Sequence, residues 1–444
     1  MKVAVVGAGI TGLAAAYELA KRGHSVTVYE SGSTLGGLAG SFHVGGEPLE
    51  KFFHNLSRTD THLLELIKEI GLEENLVWEN SGFGFHYEDE IHPFSSPLDI
   101  LRLKPLSLPE RLKMAVGVFK IRRIKDWRSL DRVSAKEFIT RTMGEEAYRI
   151  IWGPLFRSRF GPGSCDQISA SWVWAKINNR NPSKGRTFKE SIGYLRGGFE
   201  KMFTRLGDLI LQKGGRIHLG TPVHQIEVKM GEAKGVFSPK GYETFDLILA
   251  AVPIPVFLNL VGGLPEAYEQ NLRGLQYLNV ICLVLISKKS LTGRYWVNMN
   301  DTDFPFLGII EHTHLDQEGR FKGQHVVYIP KYVPADSPSS QSSKEELFKI
   351  YLPYLKKVFP HFDESWVSEM FLWRERYAQP LVTVGYAARV PPVETPIHNL
   401  YLATMAQIYP EDRGMSNGVC LAKQVVDTIH EREFDRAVPA ESAG

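Results

Sequence analysis

The sequence predicts an α/β fold: a doubly wound, mostly parallel sheet interrupted by a mostly helical insertion and by a second, mixed-sheet region. Two observations carry this. The chain opens and closes on strand–turn–helix units, and residues 83–189 show helical periodicity before the α/β pattern returns near Gly197-Gly198. Length agrees, because 444 residues with 43% hydrophobic and 23% charged content can bury two or three domains rather than one.

The opening unit is the most explicit. Residues 3–6 form an apolar strand that runs straight into Gly7-Ala8-Gly9-Ile10-Thr11-Gly12, an alanine-rich helix follows to about residue 22, and residues 25–30 form the next strand. Glycine at 7 permits the tight turn, at 9 lets the backbone approach a pyrophosphate, and at 12 lets the helix pack on the sheet. The helix start at Ile10 and Thr11 turns its partial positive charge toward phosphate. Glu30 stands at the tip of the second strand, where an acid accepts hydrogen bonds from both hydroxyls of an adenosine ribose and repels a phosphorylated one. A Gly-x-Gly-x-x-Gly alone is a glycine-rich turn of any α/β protein; the strand before it, the helix after it and the acid in place make it a dinucleotide site.

Further along, helices are expected over 109–127 and 134–155, strands over 216–219, 223–229, 234–238, 245–251 and 280–287, a Ser/Pro-rich loop over 334–343 and a helix over 344–358. The chain closes on a strand at 400–403 and a helix from Met415 to about residue 431. This divides the protein into a discontinuous nucleotide-binding domain (1–82, 190–256 and 385–432), a helical insertion (83–189), a substrate domain (257–384) and a flexible tail (433–444).

Composition narrows the function. With 52 Lys or Arg against 50 Asp or Glu the net charge is +2, which argues against nucleic acid as a partner. Cys165, Cys282 and Cys420 are far apart and form no Cys-x-x-Cys, so no disulfide framework, metal site or dithiol centre is expected, and a reducing cytoplasm fits. The first apolar run passes directly into glycines, unlike a signal peptide. The charge-free stretch 247–265 is broken by Pro253 and Pro255 and reads as strand, turn and short helix rather than a membrane span.

The choice of FAD over NAD rests on Gly36-Gly37, just past the second strand, and on the lack of a second Gly-x-Gly-x-x-Gly for a nicotinamide. The fingerprint through Glu30, Leu35-Gly36-Gly37, Tyr194-Leu195-Arg196-Gly197-Gly198-Phe199, Thr221-Pro222-Val223, Asp246-Leu247-Ile248-Leu249-Ala250-Ala251-Val252-Pro253 and Asn399-Leu400-Tyr401-Leu402-Ala403 together resemble the FAD-dependent amine oxidase superfamily. The likeness is to its protoporphyrinogen oxidase and carotenoid desaturase-like branch. That resemblance implies an FAD-dependent oxidoreductase acting on a small organic or isoprenoid substrate, with electrons passing to oxygen, a quinone or another acceptor. It implies that Val223 holds the adenine through its backbone and that Gly36 and Gly37 lie along the flavin side of the pyrophosphate. It also implies that Gly414-Met415 start a closing helix whose dipole stabilises negative charge on the reduced ring. Two positions depart from the family: Thr34 and Leu38 stand where arginines often bracket the glycine pair, and Thr404 stands where an acid usually follows the last strand.

Residues for the chemistry itself are fewer. Lys51-Phe52-Phe53-His54-Asn55 also resembles the phenylalanine-histidine element of UDP-galactopyranose mutases, which makes His54 a flavin neighbour or else a satisfied core histidine. The loop Ile408-Tyr409-Pro410-Glu411-Asp412-Arg413-Gly414-Met415 resembles the mutase closing loop, so a flavin-dependent isomerase of a nucleotide sugar stands as the alternative, and a non-catalytic flavin-stabilised scaffold as a third reading. Arg157, Arg159 and Lys176 are candidates to bind an anionic group of the substrate or are solvated surface charges. Trp152, Trp172 and Trp174 line the substrate cavity or belong to the core. Residues 110–128 carry seven Lys or Arg against Glu110 and Asp126, which on a helix sets a basic face against Leu112, Val116, Phe119 and Ile124. That pattern suits peripheral contact with the inner face of an anionic membrane, or a solvated amphipathic helix.

Overall fold

The structure, a computed structural model, describes residues 1–79, 82–164, 166–179, 191–315 and 319–437. Five parallel strands form the sheet that carries the glycine turn, in the order Arg216–His218, Ser25–Tyr29, Lys2–Val6, Leu247–Ala250, Leu400–Leu402. The central strands are buried on both faces, which is why they read as unbroken apolar runs rather than alternating ones. Helices Ile10–Lys21 and Met415–Ala437 pack against each other on this sheet, so the two ends of the chain meet. An antiparallel meander of Gln225–Lys229, Glu232–Ser238 and Gly241–Thr244 sits between the third and fourth strands in chain order.

A seven-stranded sheet forms the second body, in the order Val367–Pro380, Tyr277–Ser287, His325–Val333, Gly308–Glu311, Trp296–Met299, Phe83–Tyr87, Glu90–Pro93. Its long strand Tyr277–Ser287 alternates between two cores. Val280, Cys282, Val284 and Ile286 face the main core, while Ile281, Leu283 and Leu285 meet Leu347, Tyr351 and Leu355 of the helix Lys344–Val358. Ser343 and Glu346 cap that helix reciprocally, as a Ser-x-x-Glu sequence should.

Three expectations change. Residues 83–93, placed with the helical insertion, are two strands of the seven-stranded sheet. Phe83–Tyr87 pairs in parallel with Trp296–Met299, a partner so remote in sequence that no local pattern signals it. The helix expected over 134–155 is broken at Gly144, whose φ of 106° no helix accommodates, into Ala135–Met143, a short turn, a π-helical segment Tyr148–Trp152 and Gly153–Phe160. The final helix continues to Ala437, into the expected flexible tail; residues 438–444, like Cys165 and 180–190, lie outside the described residues. The stretch 247–265 is a strand, Leu247–Ala250, followed by a short helix, Ile254–Leu260. Among the described residues no helix is long and apolar enough to cross a membrane.

Candidate functional site

At the carboxyl end of the parallel sheet the backbone itself forms a cradle. Gly7 takes φ 105° and its N–H donates to Tyr29 O at 2.8 Å, while a Cβ on Gly12 would fall inside the van der Waals shell of the Gly7 carbonyl oxygen. Only glycine lets helix Ile10–Lys21 start so close to the turn. That helix has no side-chain cap, so the amides of Ile10 and Thr11 have no side-chain acceptor at its start. Gly36, with φ 108°, forms a bridge to Gly9, and a Cβ on it would lie 2.8 Å from the Phe203 ring. A Cβ on Gly37 would come within 3.2 Å of Gly9 Cα, whereas one on Gly9 would meet no protein atom within 4 Å. Leu38, in the turn Gly37–Ala39, rests partly buried on the core.

Glu30 holds this turn as well as facing it. Its Oε2 accepts from Ala8 N and its Oε1 from Gly32 N, both at 2.7 Å. Oε1 also accepts from Ser31 Oγ at 3.2 Å, a long bond that a ribose hydroxyl can replace, and Oε2 keeps one acceptor position open, which together suit a vicinal diol. Thr221 N donates to Glu30 O at 2.8 Å, stitching the following loop to the strand tip. Val223, in that loop, is buried, and its own N–H and C=O make no hydrogen bond among the described residues. Thr404 is buried after strand Leu400–Leu402, and its N–H donates to Gln407 Oε1 at 2.7 Å. Beyond it Gly414-Met415 open the helix Met415–Ala437. Gly418 packs so closely that a Cβ would lie 2.8 Å from Thr11 Oγ1, so two helix N-termini meet beside the cradle. A bare-backbone turn, a carboxylate with spare lone pairs and two convergent helix starts fit an adenine dinucleotide.

Directly before Gly414 the chain enters a charged cluster brought from four separate segments. Asp412 Oδ2 pairs with Arg159 Nη2 and Lys176 Nζ, each at 2.5 Å. Burial opposes its charge, but Arg159 and Lys176 outweigh that and hold the carboxyl well below the usual carboxylate range. Next to it, Arg413 donates from Nε to Gln379 Oε1 at 3.0 Å and from Nη2 to the Tyr332 hydroxyl at 2.7 Å, and no carboxylate pairs with it among the described residues. His54 donates from Nδ1 to Phe52 O at 2.7 Å. A carbonyl can only accept, so Nδ1 bears the proton and Nε2 is left as the acceptor. Burial, helped by Arg413, pushes the His54 pKa down to about 4, and the ring is neutral at pH 7.

Asp412 answers one of the two charges expected of Arg159 and Lys176, so the trio keeps a net positive charge. Arg157, on the same helix as Arg159, Gly153–Phe160, is half-buried, and its side chain makes no hydrogen bond or ion pair among the described residues. Sequence reasoning named Asp412 and Arg413 within the mutase-like loop 408–415 but gave neither a role of its own; the acid-arginine doublet immediately before Gly414 was the available signal. Trp172 is core, edge-on to Phe156 and Phe160, with Arg159 and Lys176 over its ring. Trp174 donates from Nε1 to Ile124 O at 2.8 Å. The closing loop is fixed from behind by Tyr409, whose hydroxyl reaches Asp131 and, at 2.8 Å, Ser169 Oγ.

The sequence profile of the flavin-containing amine oxidoreductases matches residues 10–411. A zeta-carotene desaturase of Solanum lycopersicum is 25% identical over 91% of this chain and 76% of its own length. An oxidoreductase from Methanosarcina mazei superposes with a TM-score of 0.73 at 23% identity, covering 97% of this chain and all of that one. A reduced UDP-galactopyranose mutase superposes with a TM-score of 0.76 at 14% identity, over 97% and 95%. The structural likenesses, at such identities, speak to fold. The profile match spans most of the chain, and with it the chain belongs to the flavin-containing amine oxidoreductase family and is an FAD-dependent oxidoreductase.

Proposed function

We propose that the enzyme dehydrogenates an apolar, unsaturated substrate of isoprenoid type. The observation that carries this reading is a neutral His54, its Nε2 left as an acceptor, within electrostatic reach of an Arg413 whose side-chain hydrogen bonds among the described residues go to the neutral Gln379 and Tyr332. The name of the plant desaturase supports the substrate class.

FAD, when bound, supplies the two-electron acceptor. The amides of Gly9, Ile10, Thr11 and Gly12 would receive its pyrophosphate across the turn that Gly7 makes, Glu30 would hold its ribose and Val223 its adenine, and Gly36, Gly37 and Leu38 would border the flavin side. Gly414 and Met415 would present backbone dipoles to the negative charge of a reduced flavin, with Thr404 bordering them and Arg413 adding a full charge. Desaturation removes a hydride and a proton from adjacent carbons. In this reading the proton goes to His54 Nε2. Lys176 acts through Asp412 as a positioning residue, and Arg157 is the cation left for a polar group of the substrate. A reducing cytoplasm, consistent with free thiols at Cys282 and Cys420, belongs to the same proposal; contact with a membrane through the helical insertion suits such a substrate but does not depend on it.

Anaerobic mixing of oxidised holoenzyme with detergent-dispersed polyenes, amines and UDP-galactopyranose tests it. Bleaching of the flavin by a polyene is expected; bleaching by amines alone would refute the substrate class. The nearness of His54 to the loop 408–415 favours one second reading, a mutase-like isomerase. It predicts turnover of the nucleotide sugar by reduced enzyme without consumption of an electron acceptor.

A further inference from the structure

The helix Leu108–Arg122 is apolar on two faces. Met114, Gly117 and Ile121 pack inward, and a Cβ on Gly117 would lie 2.7 Å from both Met143 Cγ and Thr142 O, so the helix is seated closely and cannot roll. That seating turns Leu108, Leu112, Val116 and Phe119 outward in one row, beside Leu98 and Leu101 of helix Pro97–Leu101. All six are 40–62% exposed. Single exposed apolar residues are ordinary, but a contiguous row asks for a partner.

The charge around the row names that partner. By helical periodicity Arg111 and Arg122 border it on one side and Lys113 and Lys120 on the other. Residues 98–125 hold eight Lys or Arg against Asp99 and Glu110. Both acids are committed elsewhere: Asp99 accepts from Ser95 N and Ser96 N at 2.8 Å, and Glu110 Oε2 is buried toward Gly144.

We propose that this face docks on a bilayer containing anionic lipid. The apolar row sinks to the acyl boundary while the two borders of cations meet headgroup phosphates. A second copy of the chain fits poorly, since two such faces would oppose like charge. The face also adjoins the site. Trp174 bonds to Ile124, just past the end of this helix, and the helix Ala170–Asn179 that carries Trp174 also carries Lys176, the partner of Asp412. A substrate dissolved in the bilayer thus reaches the cluster across two helices. That delivery rests on the apolar-substrate reading above; the docking itself does not.

The test is co-sedimentation of the holoenzyme with phosphatidylcholine vesicles made with and without phosphatidylglycerol. Binding is expected to be more than about tenfold tighter with phosphatidylglycerol and to weaken as salt rises. Leu112→Glu/Phe119→Glu should abolish it while flavin content and unfolding midpoint stay those of the parent, because both side chains are exposed. Lys113→Glu/Lys120→Glu should remove the preference for phosphatidylglycerol. The proposal is overturned if the parent ignores both vesicles, if Leu112→Glu/Phe119→Glu binds as the parent does, or if the parent is a dimer that this variant dissociates. Vesicle-bound enzyme whose flavin no polyene reduces would sink the substrate reading and leave docking intact; polyene turnover by enzyme that ignores vesicles would do the reverse.

Discussion

The two sides of the site are made of different material. The phosphate side is backbone, with Gly7, Gly12 and Gly36 each in a place where a side chain would collide. The side proposed for substrate is side chains, with Arg159, Lys176, Asp412, Arg413 and His54 gathered from distant segments and held by ion pairs and hydrogen bonds. A backbone site fails when anything is added to it. A side-chain site fails when one partner is removed and another is left buried without an answer.

The largest effect should come from adding one methyl to the first side. Gly12→Ala drives a Cβ into the Gly7 carbonyl, and we expect a loss of more than about 3 kcal/mol in stability and colourless protein. Chemical unfolding at the parent's midpoint would break the comparison there. On the other side, Asp412→Ala strands Arg159 in the interior, with a cost of about 3 kcal/mol once the partial exposure of Lys176 is allowed for. Adding Arg159→Met should restore most of it, as a double-mutant cycle in urea would show. Glu30→Gln keeps the shape but loses the charge. It should weaken FAD binding by about 1.5 kcal/mol, roughly tenfold in Kd, when apoprotein is titrated with cofactor.

The remaining effect is a pH slope rather than a loss at fixed pH. The unfolded chain titrates His54 near pH 6.5 and the folded one at about 4, so between those values the unfolded state binds more protons. The stability that His54 contributes is complete above pH 6.5 and is lost as pH falls toward 4. His54→Asn should remove that segment of the stability–pH curve and leave the rest in place.

The same contrast explains what could be read from the sequence. The turn from Gly7 to Gly12, Glu30 and the strands around them are specified by near neighbours, so spacing reveals them. Asp412 meets Arg159 and Lys176 only because the fold brings them together, and Phe83–Tyr87 finds its strand partner at Trp296–Met299. Neither pairing leaves a local trace. The charge pattern of Leu108–Arg122 was legible, but the buried side was not, since Met114, Gly117 and Ile121 are no more apolar than Leu112, Val116 and Phe119.

The most direct test of a backbone cradle is Gly9→Ala. An added Cβ there would meet no protein atom within 4 Å, so folding should be untouched, yet the methyl would stand where the pyrophosphate must approach. Purified Gly9→Ala protein should unfold like the parent's apoprotein and lack flavin, even after incubation with FAD. A yellow variant that binds FAD as tightly as the parent would contradict the account.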